Sequence, residues 1–448
     1  MPAEPGPTEP PLPARIGRYR VLARLGAGAS SEVFLGHDDF LDRPVAIKRL
    51  PPQDPADPQA SRLRERFFAA EAALIGRLQH PNLVTLYDAA DDPAGPYLVM
   101  EPVRGGTLRP HTRPEALLPL DRIVEIGIQL ALALAQVARQ GLVHRDVKAA
   151  NLLVERDAAG GIARVKLGDF GSVLNLRADC TQVARVGSLR TMSPEQVEGG
   201  TLDGRSDLYA LGVVLYQLIA GRPPFEAPSE AALIAQILDR PPPPLQPLRP
   251  GVSPALEAVV LGALAKSPAG RPADGEAFAA SLSALLADRQ VPRPGPQELL
   301  DSERFRLLGE LDFFAGFGEV ERWELVRRGD WAQHPAGTLL HRAGETGDQF
   351  HIIARGEVEV HRDGRCVARL GAGTSVGEMA YLAPSPALKR HQADIVCTAP
   401  TTTLGFSPAR LASLGAATRQ QMDQAFIRVL VRRLHAAHEA LAHPRRIL

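Results

Sequence analysis

The stretch from Leu142 to Asn151, LVHRDVKAAN, constrains this chain more than any other. An apolar approach ends abruptly in His144, Arg145 and Asp146, and Lys148 and Asn151 follow at short fixed intervals. Packing does not account for that pattern. An aspartate that accepts a hydroxyl proton, a lysine that reaches a phosphate and an asparagine that ligates Mg²⁺ are the parts a phosphoryl-transfer site needs on one loop. The alternative is a polar loop after a helix with Asp146 as an N-cap. Matching parts elsewhere, in the right order, weigh against it.

At 448 residues the chain is too long for one core and implies two or three domains. Hydrophobic residues at 45% and charged residues at 23% describe an ordinary globular protein. Lys plus Arg equals Asp plus Glu at 51 each, so no global field favours nucleic acid or an anionic membrane as partner. Cys180, Cys366 and Cys397 are odd in number and widely spaced, which fits a reducing compartment better than a disulfide framework. The Pro-rich opening, MPAEPGPTEPPLPAR, resembles neither a signal nor a transit peptide and reads as a disordered lead-in over residues 1–15. The apolar runs around Ile126 to Ala138 and Leu208 to Ala220 are too short to span a bilayer, so the expected location is the cytoplasm.

From Tyr19 to Leu50 short apolar and polar runs alternate as in a β-meander. Gly26 and Gly28 lie between two such runs, where the lack of a side chain lets backbone amides approach a triphosphate. A strand follows from Glu32 to Gly36, which argues against a dinucleotide-binding turn that opens a helix. Val45-Ala46-Ile47-Lys48 closes the next strand with a lysine. Helical periodicity then runs through Phe67, Leu74 and Leu78 with Glu71 in its middle, and His80-Pro81-Asn82 stops it. Glu71 paired with Lys48 would hold the ammonium over the α and β phosphates. Leu120 to Arg139 reads as a long helix leading to the opening loop, and Asp169-Phe170-Gly171 follows a hairpin turned by Gly160 and Gly161.

With these parts in order, residues 16–287 resemble a eukaryotic-type Ser/Thr protein kinase of the kind found in bacteria. The resemblance rests on the Gly-rich loop, VAIK, the helix glutamate, HRDVKAAN, DFG and SPE. It implies a bilobal fold with an N-lobe over 16–101 and a C-lobe over 104–287, ATP and Mg²⁺ as cofactors, and protein substrates with Ser or Thr acceptors. Asp146 would take the acceptor proton, Lys148 steady the γ-phosphate, and Asn151 and Asp169 hold Mg²⁺. Lys48 and Glu71 complete the catalytic set. ATP would meet Gly26, Gly28, Ser31, Val33, Ala46, Lys48, Met100 as gatekeeper, and Glu101 and Val103 of the hinge, where Pro102 removes one donor. Ser31 replaces the loop's third glycine and should stiffen it. Arg145 before the catalytic aspartate implies control by an activation-loop phosphate, with Ser172, Thr181, Ser188 and Thr191 as candidates and Thr181 preferred. Glu195 would pair with Arg271, and Asp207 would bond the catalytic-loop backbone.

Residues 288–297, DRQVPRPGPQ, read as a Pro-rich linker. Beyond it, helical patterns flank short strands with Gly-centred turns between Trp331 and Phe406, which suggests a small β-barrel or jelly roll. PAGTLLHRAGETGDQFHIIARGEVEV and VGEMAYL resemble the cyclic-nucleotide-binding domain family over residues 298–441, leaving 442–448 as a tail. That resemblance implies cyclic AMP or cyclic GMP at Gly377, Glu378, Met379 and Ala380, with an arginine on the cyclic phosphate. His391 stands at the arginine position, with Arg390 beside it. The last helix, with Phe426, Val429, Leu430, Leu434 and Leu441, caps the barrel or packs against a partner, a second copy included. No helix-turn-helix follows.

The expected fold class is therefore α+β: a bilobal kinase fold followed by a helix-flanked β-barrel or jelly roll. The expected function is ATP-dependent protein Ser/Thr kinase with a C-terminal domain that regulates or targets it. The competing reading is a signalling scaffold with a weakly active kinase fold and a barrel that binds partners.

Overall fold

The alternation between Tyr19 and Leu50 produces an antiparallel meander. After the short β1 (Arg15–Ile16), it comprises β2 (Tyr19–Ala27), β3 (Glu32–Asp38) and β4 (Arg43–Arg49). With β5 (Leu86–Ala90) and β6 (Tyr97–Met100) these strands form a six-stranded sheet in the order β1-β2-β3-β4-β6-β5. One face is buried by Ile16, Tyr19, Phe34, Val45, Ile47, Tyr97 and Val99. The register sets Lys48 opposite Val33 and Ala46 opposite Met100.

The computed structural model describes residues 12–27, 31–50, 68–69, 71–74, 76–90, 92, 95–157, 160–175, 188–292, 299–383 and 389–442. The chain divides into two compact units, Met1–Gln297 and Glu298–Leu448, and together they make an α+β protein. Among the described residues, no helix is long and apolar enough to cross a membrane.

The segment carrying Glu71 is helical at residues 68–69 and 71–72 and passes into turns at 73–74 and 76–77, earlier than the periodicity through Leu78 predicts. Gly76 has a φ of +74°, which a right-handed helix cannot continue. Leu74 and Leu78 are buried nonetheless, so the apolar spacing reports burial here and not helix length.

The helical part of the first unit is built on α1 (Leu120–Arg139), whose bounds match the sequence expectation. It is buried on most of its circumference by Ile123, Ile126, Leu130, Leu134 and Val137. The short β7 (Leu142–Val143) follows it, then the hairpin β8 (Leu152–Arg156) and β9 (Ile162–Leu167), and β10 (Leu174–Asn175) pairs with β7. Next come α2 (Pro194–Glu198), α3 (Gly204–Ala220), α4 (Glu230–Asp239), α5 (Pro254–Ala263) and α6 (Gly275–Ala287). Side-chain oxygens of Ser193, Asp203, Ser229, Ser253 and Asp274 cap these five helices, satisfying amides that lack intrahelical partners. A Cβ at Gly275 would lie 2.2 Å from the Ala131 carbonyl, so only glycine lets α6 start against α1.

Glu195 of α2 is tied to Arg271. Two parallel bonds of 2.7 and 2.8 Å join guanidinium and carboxylate, and the remaining Arg271 donors reach the carbonyls of Arg205, Ala265 and Lys266. The Arg271 side chain has 0% exposure, so its charge is tolerable only because every side of it is bonded.

The second unit opens with α7 (Asp301–Glu310) and α8 (Glu319–Arg328). Its strands are β11 (Asp330–His334), β12 (Leu339–His341), β13 (Phe350–Arg355), β14 (Glu357–Arg362), β15 (Arg365–Gly371) and β16 (Ser375–Val376). The short α9 (Glu378–Tyr381) intervenes before β17 (Asp394–Cys397) and β18 (Thr401–Phe406), and α10 (Pro408–Ala412) and α11 (Ala416–Ala442) close the unit. Two four-stranded sheets result, β11-β18-β13-β16 and β12-β17-β14-β15. Ile353, Val358, Val376, Ile395 and Cys397, drawn from both sheets, fill the core as in a jelly roll. Phe426 fixes α11 edge-on to Phe313 and Phe350, at ring separations of 5.4 and 4.8 Å.

Arg271→Ala should lower stability by about 3–5 kcal/mol at neutral pH, because it strands a carboxylate inside the fold. Burial raises the Glu195 pKa, but Arg271 and Ser206 outweigh it and the net shift is downward. The stabilisation is therefore present above the usual glutamate range and lost as pH falls through the folded value. Urea unfolding followed by far-UV circular dichroism should show the gap between variant and parent narrowing toward acid; a gap that is absent or widens contradicts the assignment.

Candidate functional site

Lys48, at the end of β4, is held by two carboxylates from distant parts of the chain. Its Nζ lies 3.1 and 2.9 Å from the two oxygens of Glu71 and 2.8 Å from Oδ1 of Asp169. Burial works against the charge on Lys48, yet Glu71 and Asp169 outweigh it and raise its pKa. Burial likewise raises the Glu71 pKa, and there the Lys48 charge does not fully compensate. For Asp169 burial is the largest single influence, but Lys48 overcomes it and the net shift is downward. Asp169 is the most open of the three, with its side chain 48% exposed.

Asp169 adopts a left-handed conformation, with φ at 61°, and so does Arg145, with φ at 66°. Non-glycine residues there are strained by about 1–3 kcal/mol each and persist only where their surroundings fix them. Asp207 provides such fixing. From near the start of α3 its buried carboxylate accepts the backbone N–H of His144 at 2.7 Å and of Arg145 at 2.9 Å. Burial pushes its pKa up to about 7 despite those bonds. His144, fully enclosed and packed on Phe170, is lowered by burial to about 4 and stays neutral near pH 7.

The loop thus anchored carries Asp146. Its Oδ2 accepts from Lys148 Nζ at 2.7 Å and from Asn151 Nδ2 at 3.0 Å, and its Oδ1 accepts the Ser188 amide at 3.0 Å. Asn151 Nδ2 also bonds the Asp146 carbonyl at 2.9 Å, which turns the Asn151 amide oxygen to the opposite side. The structure therefore brings Asp146, Lys148 and Asn151 together, and separately Lys48, Glu71 and Asp169. Carboxylate and amide oxygens of the kind Asp169 and Asn151 present suit a hard divalent cation.

Along the sheet, Gly26 faces Val33 across β2 and β3, with open space where a Cβ would stand. Ser31 and Val33 are half-buried, and Ala46 is buried beside Met100. Gly28 and Thr181 lie outside the described residues. Of the remaining loop hydroxyls, Ser172 and Ser188 are half-buried, and the Ser172 carbonyl accepts from Arg145 Nε at 2.5 Å. Thr191 is buried and donates its hydroxyl to the Ser188 carbonyl at 3.2 Å, so this conformation does not present it to solvent.

Sequence reasoning missed one residue here. Lys166 in β9 is buried and reaches Glu101 with its Nζ 2.8 and 3.0 Å from the two carboxylate oxygens, while Glu101 also accepts the Thr85 amide at 2.7 Å. This network fixes the segment after β6 that continues as Pro102 and Val103. A lysine inside the apolar strand IARVKL was the available clue.

In the second unit, Gly377 has a φ of 82° and starts α9. Glu378 is buried, and its carboxylate is paired with Arg433 of α11, which also donates to the Ser375 carbonyl at 2.9 Å. Met379 is exposed and Ala380 buried. Arg390 donates to the Gly344 carbonyl at 2.6 Å. The His391 ring packs at a tilt on His341 at 4.1 Å, and His341 Nε2 lies 3.2 Å from His351 Nδ1. His341 also abuts Gly377, where a Cβ would meet its Nε2 at 2.8 Å. Burial lowers all three imidazoles, His341 to about 3 and His351 to about 4, so they are uncharged near pH 7. The sequence placed His391, but neither its ring partner His341 nor Arg433 was foreseen.

Residues 19–291 match the family described as protein kinase domain, and residues 331–417 the family described as cyclic nucleotide-binding domain. The chain is 36% identical over 297 residues to the serine/threonine-protein kinase PknL of Mycobacterium tuberculosis, covering 65% of this chain and 72% of that one. It is 37% identical over 299 residues to the serine/threonine-protein kinase PknB of Mycobacterium leprae and 38% over 299 residues to that of Mycobacterium tuberculosis. Those two matches cover 65% of this chain and 46% of each relative, so the chain spans less than half the length of the PknB proteins.

Arg433→Ala should destabilise the second unit by about 2 kcal/mol, at the low end for a buried pair because the arginine side chain is 39% exposed. Both tryptophans, Trp323 and Trp331, lie in that unit, so denaturation followed by tryptophan fluorescence reads it alone. The double variant Arg433→Met, Glu378→Met should recover part of the loss. An Arg433→Ala protein as stable as its parent would show the pair to be idle.

Proposed function

This chain belongs to the protein kinase family and carries a cyclic nucleotide-binding domain as well, and from that premise we propose that it moves the γ-phosphate of ATP to serine and threonine hydroxyls of protein substrates. The observation that carries the proposal is the pair of polar clusters in one unit: Lys48 between Glu71 and Asp169, and Asp146 among Lys148, Asn151 and the Ser188 amide.

Mg²⁺, when bound, would neutralise phosphate charge, and Asp169 and Asn151 are the residues suited to hold it. Lys48, restrained on two sides, offers a fixed ammonium to the α and β phosphates. Asp146 orients the acceptor hydroxyl. As the acceptor oxygen bonds to the γ-phosphorus, the bond from that phosphorus to the bridging oxygen breaks, ADP leaves and the hydroxyl proton passes to Asp146. Lys148 stands where it steadies the transferred group, and its place in HRDVK resembles the Ser/Thr-specific form of the loop. Val33, Ala46 and Met100 line the adenine slot, and the Val103 amide remains as hinge donor because Pro102 has none. Lys166 holds that hinge through Glu101.

For the second unit we infer a regulatory or targeting role. A cyclic nucleotide, cyclic AMP or cyclic GMP, is the ligand class the domain family implies, and at Gly377 and Glu378 the second Glu378 oxygen, which has no hydrogen-bond partner, is the one that would accept from it. A neutral His391 would hold the cyclic phosphate less firmly than the paired donors of an arginine. A barrel that meets a protein partner in place of a nucleotide is the second reading, and His391 at the arginine position favours it.

Purified full-length protein should transfer label from γ-labelled ATP to itself and to a mixed Ser/Thr peptide pool, with all label on phosphoserine and phosphothreonine. Asp146→Asn should lower kcat by about 100-fold or more, the contribution expected of a positioned base. A variant that labels at the parent rate contradicts the proposal. A rate that changes on adding cyclic AMP or cyclic GMP supports the sensor reading, and an unchanged rate supports the partner-binding one.

A further inference from the structure

The hairpin of β14 and β15 brings three metal-ligating side chains of different chemistry to one point. Side chains alternate along a strand, so Glu359 and His361 of β14 share a face. The antiparallel register places Arg369 opposite Glu359 and Ala368 opposite Val360, but then Cys366 opposite His361. Val367 is thereby left as an extra residue, a β-bulge. Without it Val367 would face His361, and Cys366 would turn to the other side of the sheet. The bulge re-aims the thiol onto the face of His361 and Glu359. Ligand atoms of Glu359, His361 and Cys366 then all lie within 4.8 Å of one another.

We propose that Glu359, His361 and Cys366 bind a zinc-class divalent transition metal ion. A thiolate, an imidazole and a carboxylate are the ligand types zinc takes, and three protein ligands leave a fourth position for water. The thiolate disfavours Mg²⁺ and Ca²⁺, so this site differs in kind from the oxygen donors of the first unit. Glu359 and His361 are already arranged for it: Oε2 of the carboxylate lies 3.0 Å from His361 Nε2, a hydrogen-bonded approach whose place a metal ion would take. Arg369 bonds the other oxygen, Oε1, at 2.8 Å and so orients the carboxylate while leaving Oε2 directed at the histidine. Glu359 and His361 are partly covered, and Cys366 is exposed, which gives an ion direct access. Binding through sulfur requires the thiolate and so releases the thiol proton.

The test uses the untagged full-length chain, stripped with a chelator and titrated with Co²⁺ and then Zn²⁺ in excess Mg²⁺. The expected result is one equivalent of Co²⁺ bound with a thiolate-to-cobalt absorption band, displaced by Zn²⁺ and accompanied by proton release. Cys366→Ser should abolish the band, and His361→Ala and Glu359→Gln should weaken Zn²⁺ binding by about tenfold or more. Cys397→Ala and Cys180→Ser should retain it. Glu359, His361 and Cys366 lie outside the buried barrel core, and circular dichroism of each variant separates lost binding from lost fold. A band that survives Cys366→Ser, or no band in the parent protein, overturns the assignment.

Discussion

One half-buried lysine organises the first unit. Lys48 comes from a sheet strand, Glu71 from the segment that packs on that sheet, and Asp169 from the turn after the β8–β9 hairpin, and the three meet within 2.8 to 3.1 Å. The Lys48 and Glu71 charges would be costly alone in so covered a place, and each is tolerated because the other is there, with Asp169 adding to the cluster from its open side. Any element that shifts therefore breaks the ion cluster before it breaks the fold. Such a cluster is suited to holding a polyphosphate only when its three source elements are in register.

The same logic recurs in the loop beneath. Arg145 and Asp169 hold left-handed conformations that neither would adopt freely, and the cost is offset by bonds from elsewhere. Asp207 takes two backbone amides from within α3, while the Ser188 amide reaches Asp146 from the far side. The buried Glu195–Arg271 pair ties α2, which follows that loop, to the chain before α6. Polar groups that contribute little net stability thus decide where the reactive groups stand. In the second unit Glu378 and Arg433 play the corresponding part, linking the short α9 to α11.

Much of this was legible in the sequence because it resides in short motifs. Gly26, Lys48 in VAIK, LVHRDVKAAN and DFG announce themselves by residue type and order, and α1 could be bounded from periodicity alone. What escaped depends on partners far apart in the chain. Lys166 reads as a strand lysine until β9 sets it against Glu101, and Arg433 reads as one more surface charge on a long helix until α9 lies beside it. His391 was visible as a departure from arginine, but its packing against His341 follows from how the loop ends are tied, with the His391 amide bonded to the Glu345 carbonyl at 2.9 Å. Cys366 was invisible as a ligand because an unbulged register points it away from His361. The helix around Glu71 ended early for a local reason, the left-handed Gly76, that apolar spacing does not encode.

The central claim is that the Glu71 carboxylate keeps Lys48 where phosphoryl transfer needs it. Glu71→Gln preserves shape and removes the charge, so the informative quantity is its kcat at saturating ATP and Mg²⁺ beside its affinity for ATP. The account predicts that kcat falls by about tenfold or more, at least about 1.4 kcal/mol of lost transition-state stabilisation, while ATP affinity changes much less. A Glu71→Gln protein that turns over at the parent rate would contradict it.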